Sequence, residues 1–148
     1  IDYLRIFLLL LLAIALVVLP FLPFLFLNAR RQKARETRAA FDATDRSEAA
    51  CALFRHVAAY LEATGYGGGN ALYRAWPERI RERLPEEYVE RFTACGRTFE
   101  RAAYSDHEIT EQELQEMRIL LEETEALLYE QADRRQRWRL RYVTCLHE

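Results

Sequence analysis

The hydrophobic and polar positions of this chain fall into two regimes. From Ile6 to Leu27 no charged residue occurs, and Leu, Phe, Ile and Val dominate. At about 1.5 Å per residue such a run makes a helix of roughly 33 Å, enough for a hydrocarbon core of about 30 Å. Beyond it, apolar residues recur at helical spacing. Ala50, Leu53, Phe54, Val57 and Leu61 predict a helix with one buried face, opened by a capping box at Asp45-x-x-Glu48 and stopped by Gly65. The stretch Gly67-Gly68-Gly69-Asn70 reads as a flexible loop. Two short pieces follow, Ala71 to Trp76 and Pro77 to Leu84, with Pro77 suited to a first helical turn.

Pro85 then opens a helix with Tyr88, Phe92, Cys95, Phe99 and Ala103 along one side, and Gly96 within it permits close packing. After a break at Tyr104-Ser105-Asp106-His107, a second box at Thr110-x-x-Glu113 leads a long helix with Leu114, Met117, Leu121, Thr124 and Leu128 inward. Residues 137–143 alternate with period two, but their place at the end of a helix predicts a helical continuation. The predicted fold is all-α: an N-terminal transmembrane helix followed by a small cytoplasmic helical bundle. Its parts are a membrane helix over 1–28 (about 6–27 in the bilayer), a basic juxtamembrane helix over 29–45 and a helical domain over 46–148.

Charge decides what the apolar run is for. A cleaved export signal has a basic start, a shorter apolar stretch and a small-x-small cleavage site. Here Asp2 and Arg5 precede the run, Leu27-Asn28-Ala29 makes a poor cleavage site, and the cations Arg30, Arg31, Lys33, Arg35 and Arg38 follow it. That asymmetry predicts a stop-transfer anchor in a cell membrane, N-terminus outside and helical domain in the cytoplasm. Pro20 and Pro23 predict a kink late in the span, and no pair of glycines marks a helix-dimer face. The chain opens at Ile1 without a methionine, which predicts a fragment whose span is the last of several.

Candidate chemistry is sparse. Cys51, Cys95 and Cys145 are far apart with no C-x-x-C, so neither a zinc site nor a redox pair is expected. His56 follows Cys51 by a spacing that puts the two about 140° apart on a helix, and His147 follows Cys145 near the chain end. A thiol enzyme pairing a cysteine with His56 or His107 is the alternative reading. The run Gly65 to Asn70 follows a helix and lacks the Lys-Ser/Thr of a phosphate loop, so a connecting role is expected. No catalytic residue, cofactor or metal is expected. The glutamates of 108–130 read as a solvated helix face. The basic block Arg134, Arg135, Arg137, Arg139 and Arg141, interleaved with Trp138 and Tyr142, suits anionic lipid, the acidic helix or a helix C-terminus. A net charge of −2 argues against nucleic acid as a partner.

Three segments carry a family resemblance: Phe54-Arg55-His56-Val57-Ala58-Ala59-Tyr60-Leu61, Leu84-Pro85-Glu86-Glu87-Tyr88-Val89, and Phe99-Glu100-Arg101-Ala102-Ala103-Tyr104-Ser105 ahead of the Thr110 cap. Over residues 5 to 130 the chain resembles a bacterial cytoplasmic domain of unknown function that follows the last transmembrane helix of transglutaminase-like membrane proteins. Gly67 to Asn70 and Trp76-Pro77-Glu78 stand where that family has a Gly-Glu-Thr element. The resemblance implies no catalytic residue within this chain, and a Cys-His-Asp core upstream of it. The expected function is therefore a non-catalytic, membrane-tethered interaction or scaffolding domain. The bilayer and a protein partner, or further spans of the same protein, are the expected contacts. A lipid-surface-binding accessory subunit of a membrane complex is a further alternative. Candidate interaction residues are Tyr104, Ser105, Asp106 and His107 in the interhelical break, with Trp138, Arg139 and Arg141 near the end.

Overall fold

A computed structural model describes residues 2–143 and Leu146. Cys145 and His147, named above as candidate thiol and base, lie outside the described residues. Helix α1 (Asp2–Val18) and helix α2 (Phe21–Ala39) meet at a pause over Leu19 and Pro20. The prolines explain where the pause falls. Pro20 is the N-cap of α2 and Pro23 sits in its first turn, so both missing N–H groups belong to positions that lack an intrahelical acceptor anyway. Through this pause Asp2–Asp42 is long and apolar enough to cross a membrane, and its apolar stretch is left uncovered by the rest of the molecule. A core helix of that composition would be covered by its own protein.

The basic half of α2 is continuous with its apolar half, because nothing from Ala29 to Ala39 breaks a helix. A 3-10 turn, Ala40–Asp42, then ends the rod, and helix α3 (Arg46–Ala63) begins. Its cap is simpler than the predicted box: the Asp45 side chain accepts from the Ser47 N–H at 3.0 Å, a bond to the second helical residue. All five predicted apolar positions of α3 are buried, and so are Ala49, His56, Ala58 and Tyr60. Gly65 ends the helix at φ 83°, where Tyr66 N–H donates to Leu61 O and Gly65 N–H to Glu62 O. This is a Schellman motif, open to glycine because a side chain at that φ is strained.

The glycine run is clamped, which corrects the expectation of a flexible loop. Gly69 N–H donates to Glu62 Oε1 at 2.7 Å, and a Cβ on Gly68 would strike the Trp76 indole. Trp76 in turn donates to Ala71 O at 3.1 Å, and Arg79 donates to Gly68 O at 3.1 Å. A 3-10 turn (Tyr73–Ala75) and helix α4 (Trp76–Ile80, with Pro77 near its start) carry the chain to helix α5 (Glu86–Tyr104). Phe54 of α3 stacks on Phe99 of α5 at 4.8 Å between centroids and packs on Phe92 at 5.3 Å. Each fully buried side chain of this kind contributes about 1.5–3 kcal/mol relative to exposure.

Helix α6 (Glu111–Gln131) opens with the predicted reciprocal box between Thr110 and Glu113, and buries every residue predicted plus Leu120. Its one polar link to α5 in the core joins Tyr88 Oη and Thr124 Oγ1 at 2.7 Å. Thr124 gives its proton to Leu120 O at 2.6 Å, so Tyr88 is the donor. Helix α7 (Arg134–Trp138), capped by Asp133 and Gln136, runs into a π turn (Arg139–Val143), so the period-two stretch is helical. Among the described residues there is no strand.

Two glycines should respond oppositely to alanine. A Cβ at Gly96 would meet Phe54 at 3.6 Å, an ordinary contact, so Gly96→Ala should raise stability by about 0.5–1 kcal/mol. Gly68→Ala should lower it by roughly 1–3 kcal/mol through overpacking on Trp76. Urea denaturation of both variants checks the signs.

Candidate functional site

Outside the apolar rod, exposed large hydrophobic side chains occur in two places. Leu72 and Tyr104 are 79% and 84% exposed, while Trp138 and Tyr142 are 58% and 39% exposed. Each pair is brought together by the fold. Leu72 and Tyr104 stand on the rim of one open cleft of about 1200 Å³ between α3, the 3-10 turn before α4, and the end of α5.

The cleft floor is aromatic and small. Tyr73, Trp76 and Phe99 line it with Ala58 and Ala71. Tyr73 meets Trp76 edge-on at 5.1 Å and Phe99 edge-on at 5.5 Å, so the three rings hold one another in place. The walls are charged: Arg55, Arg74, Arg97 and Arg101 face two carboxylates, Glu62 and Glu100. Several of these charges are committed. Arg74 grips Glu100 with two bonds of 2.7 Å, which holds the Glu100 carboxyl below its ordinary pKa. Arg101 donates to Glu113 at 2.6 Å and to His107 Nε2 at 3.2 Å. The Glu113 carboxyl is lowered chiefly by the Thr110 N–H and then, after a partial offset from burial, by Arg101. Arg55 lies 5.8 Å from the Phe99 ring centroid, and neither it nor Arg97 has a carboxylate partner among the described residues.

The candidate residues thus separate. Tyr104 and Ser105 line the cleft. Ser105 also accepts from His107 N–H at 3.3 Å, which shapes the break. Asp106 and His107 are exposed, and His107 turns to Arg101. Leu72, Arg55 and Arg97 were missed by sequence reasoning. The available signal was Leu72, an apolar residue in a glycine-bounded connection with no helical partner position.

At the other site, Trp138 packs on Tyr142 at 5.9 Å, and Arg139 is exposed. Arg137 donates to the carbonyls of Tyr129 and Glu130 at 3.0 and 2.8 Å, complementing the C-terminus of α6. Arg137 and Arg141 lie over the Tyr129 ring at 5.3 and 5.9 Å. On α2, Arg30 lies 4.8 Å from the Phe26 ring centroid, and Arg31, Lys33 and Arg35 are exposed.

No family model, curated protein or solved structure matches the chain. Neither of the two described cysteines is set up as a nucleophile. Cys51 and Cys95 are buried, and burial raises both thiols, that of Cys95 to about 12. A nucleophilic cysteine needs the opposite shift and an electropositive, accessible setting. Among the described residues no group of His, Cys, Asp or Glu is arranged to hold a metal.

His56 serves the core. It is 5% exposed, packs edge-on against Phe41 at 5.2 Å, and donates from Nε2 to Leu146 O at 3.1 Å. Burial is the main cause that lowers its pKa from 6.5 to about 4. Between these values the unfolded chain binds a proton that the folded one does not, so stability falls as pH drops through the window. The full effect is of order 3 kcal/mol. Denaturation midpoints from pH 7 to 4 should decline, and His56→Gln should flatten the decline. In a Cys145→Ser background, Cys51 and Cys95 should react with a disulfide reagent at pH 7 only as fast as the protein opens.

Proposed function

We propose that this chain is a non-catalytic, membrane-tethered helical domain that recruits a protein partner at the cytoplasmic face. The partner chemistry follows from the cleft: an apolar side chain to cover Leu72 and Tyr104, flanked by carboxylates for Arg55 and Arg97. The single observation that carries this reading is the sharing of one cleft by the exposed Leu72 and Tyr104 and those two arginines. Contiguous exposed apolar surface rimmed by charge is what an interaction site requires.

The orientation is part of the proposal. Arg30, Arg31, Lys33 and Arg35 follow the apolar stretch on one side, which supports an outward N-terminus and a cytoplasmic bundle. The resemblance of 54–61, 84–89 and 99–105 supports a place as the cytoplasmic end of a larger transglutaminase-like membrane protein.

Photo-crosslinking in intact cells tests the reading. A photoreactive residue at Leu72 or Tyr104 should capture the same protein, at the exposed Glu122 it should not, and Arg97→Glu should cut the yield at least fivefold. Equal adducts at all three sites, or none, would reject the cleft as a docking site. For the orientation, a membrane-impermeant maleimide applied outside should label Asp2→Cys and leave Glu122→Cys unlabelled.

A further inference from the structure

The two basic blocks, separated in sequence by the whole bundle, arrive on the same side of the molecule. The direction of α6 shows why. Arg118 meets Asp42 at 3.5 Å and donates to Phe41 O at 3.4 Å, whereas Glu125 meets Arg38 at 3.8 Å. As α6 advances from 118 to 125, its partners retreat from the end of the rod toward its apolar half. The C-terminal end of α6 is therefore turned toward the apolar helices. Helix α7 continues from that end, the π turn packs against α2, and Leu146 O accepts from Arg38 at 3.0 Å.

The heights match. Glu125 to Gln131, the last residue of α6, is about 9 Å along the helix axis, and Arg38 back to Gln32 on α2 is also about 9 Å. The end of α6 thus comes level with the basic stretch of α2, and α7 begins three residues further on. Arg134, Arg135 and Arg139 are exposed, as are Arg30, Arg31 and Lys33 on α2, and the π turn that carries Arg139 packs against α2. Trp138, 58% exposed, packs on Tyr142 among the cations of the second block, the aromatic type enriched where protein meets headgroups.

The acidic row of α6 does not cancel this surface, because much of it is spent sideways. Glu111 pairs with Arg46, Glu113 with Arg101, and Glu116 and Glu123 with Arg91. Among the described residues, the carboxylates toward the basic end include Glu36, Glu130 and Asp133, of which Asp133 caps α7.

We infer that these residues form one composite surface for anionic lipid headgroups of the bilayer that carries the chain's own span. The inference rests on the reading that α1 and α2 cross that bilayer. Each cation within a Debye length of an anionic surface strengthens the contact by roughly fivefold. A nucleic acid has no reason to meet a basic surface wrapped around a membrane helix. An acidic protein is the competing occupant.

The test uses the full chain in nanodiscs of phosphatidylcholine, with or without phosphatidylglycerol. Trp76 is 2% exposed, so acrylamide quenching reports mainly Trp138, and Trp138→Phe sets the background. Phosphatidylglycerol should lower the quenching at least twofold. High salt, or the triple change Arg134→Ser, Arg135→Ser and Arg139→Ser, should abolish that difference while far-UV circular dichroism is unchanged. Equal quenching in both discs, or protection indifferent to salt and to the triple change, overturns the inference. Protection by soluble polyglutamate but not by phosphatidylglycerol assigns the surface to an acidic protein and overturns it too. Alkaline carbonate separates the two failures: release of the chain from proteoliposomes refutes the span itself, whereas retention with unchanged quenching refutes only the lipid contact.

Discussion

The clamp on the last turn of α2 governs everything else in this molecule. Arg38 reaches Glu125 and Leu146 O, Phe41 lies edge-on to His56, and Arg118 holds Asp42 and the Phe41 carbonyl. Without it, an apolar rod and a bundle would be joined by a swivel at Ala43 and Thr44. With it, the end of the rod packs through Phe41 against the bundle's core, and the bundle has one attitude to the rod. Ion pairs of this exposure contribute little individually. The apolar contact and the carbonyl bonds beside them supply the directional part of the restraint, since a buried carbonyl without a donor is costly.

That restraint decides which surfaces face which way. The C-terminal end of α6 is carried back toward the apolar helices, and α7 follows. The cleft of Leu72 and Tyr104 lies between α3 and α5, built on an aromatic floor that includes Phe99, and is separate from the basic surface. The two proposed contact sites thus lie on different elements of one small bundle. The core between them is joined by Phe54 on Phe99 and by the Tyr88–Thr124 bond, which fixes how α3, α5 and α6 stack.

Much of this was legible in the sequence, for physical reasons that can be named. Helical periodicity exposed the buried faces of α3, α5 and α6, because each has one core-facing stripe and a clear stop or cap. Thr110 and Glu113 announced their box through residue type and spacing alone. The glycine run misled, because conformational freedom and close approach leave the same residue in a sequence; only the Trp76 indole over Gly68 tells them apart. Arg55 and Arg97 were invisible as site residues, since an arginine on a helix surface signals nothing until its neighbours are known. Ten of the 21 residues in the three segments carrying the family resemblance, among them the large side chains Phe54, Tyr60, Tyr88 and Phe99, are buried. Those segments therefore report the packing of the bundle, while Tyr104 and Ser105 at the end of the third reach the cleft.

The fixed attitude of bundle to rod is the central claim, and a distance measurement tests it most directly. With spin labels at Lys33→Cys on α2 paired with either Gln131→Cys or Glu111→Cys at the two ends of α6, in a Cys145→Ser background, pulsed dipolar spectroscopy in nanodiscs reads both separations. The account predicts a narrow distribution for each pair, with the Gln131 label the nearer to Lys33. A broad distribution, or a nearer Glu111 label, would contradict it.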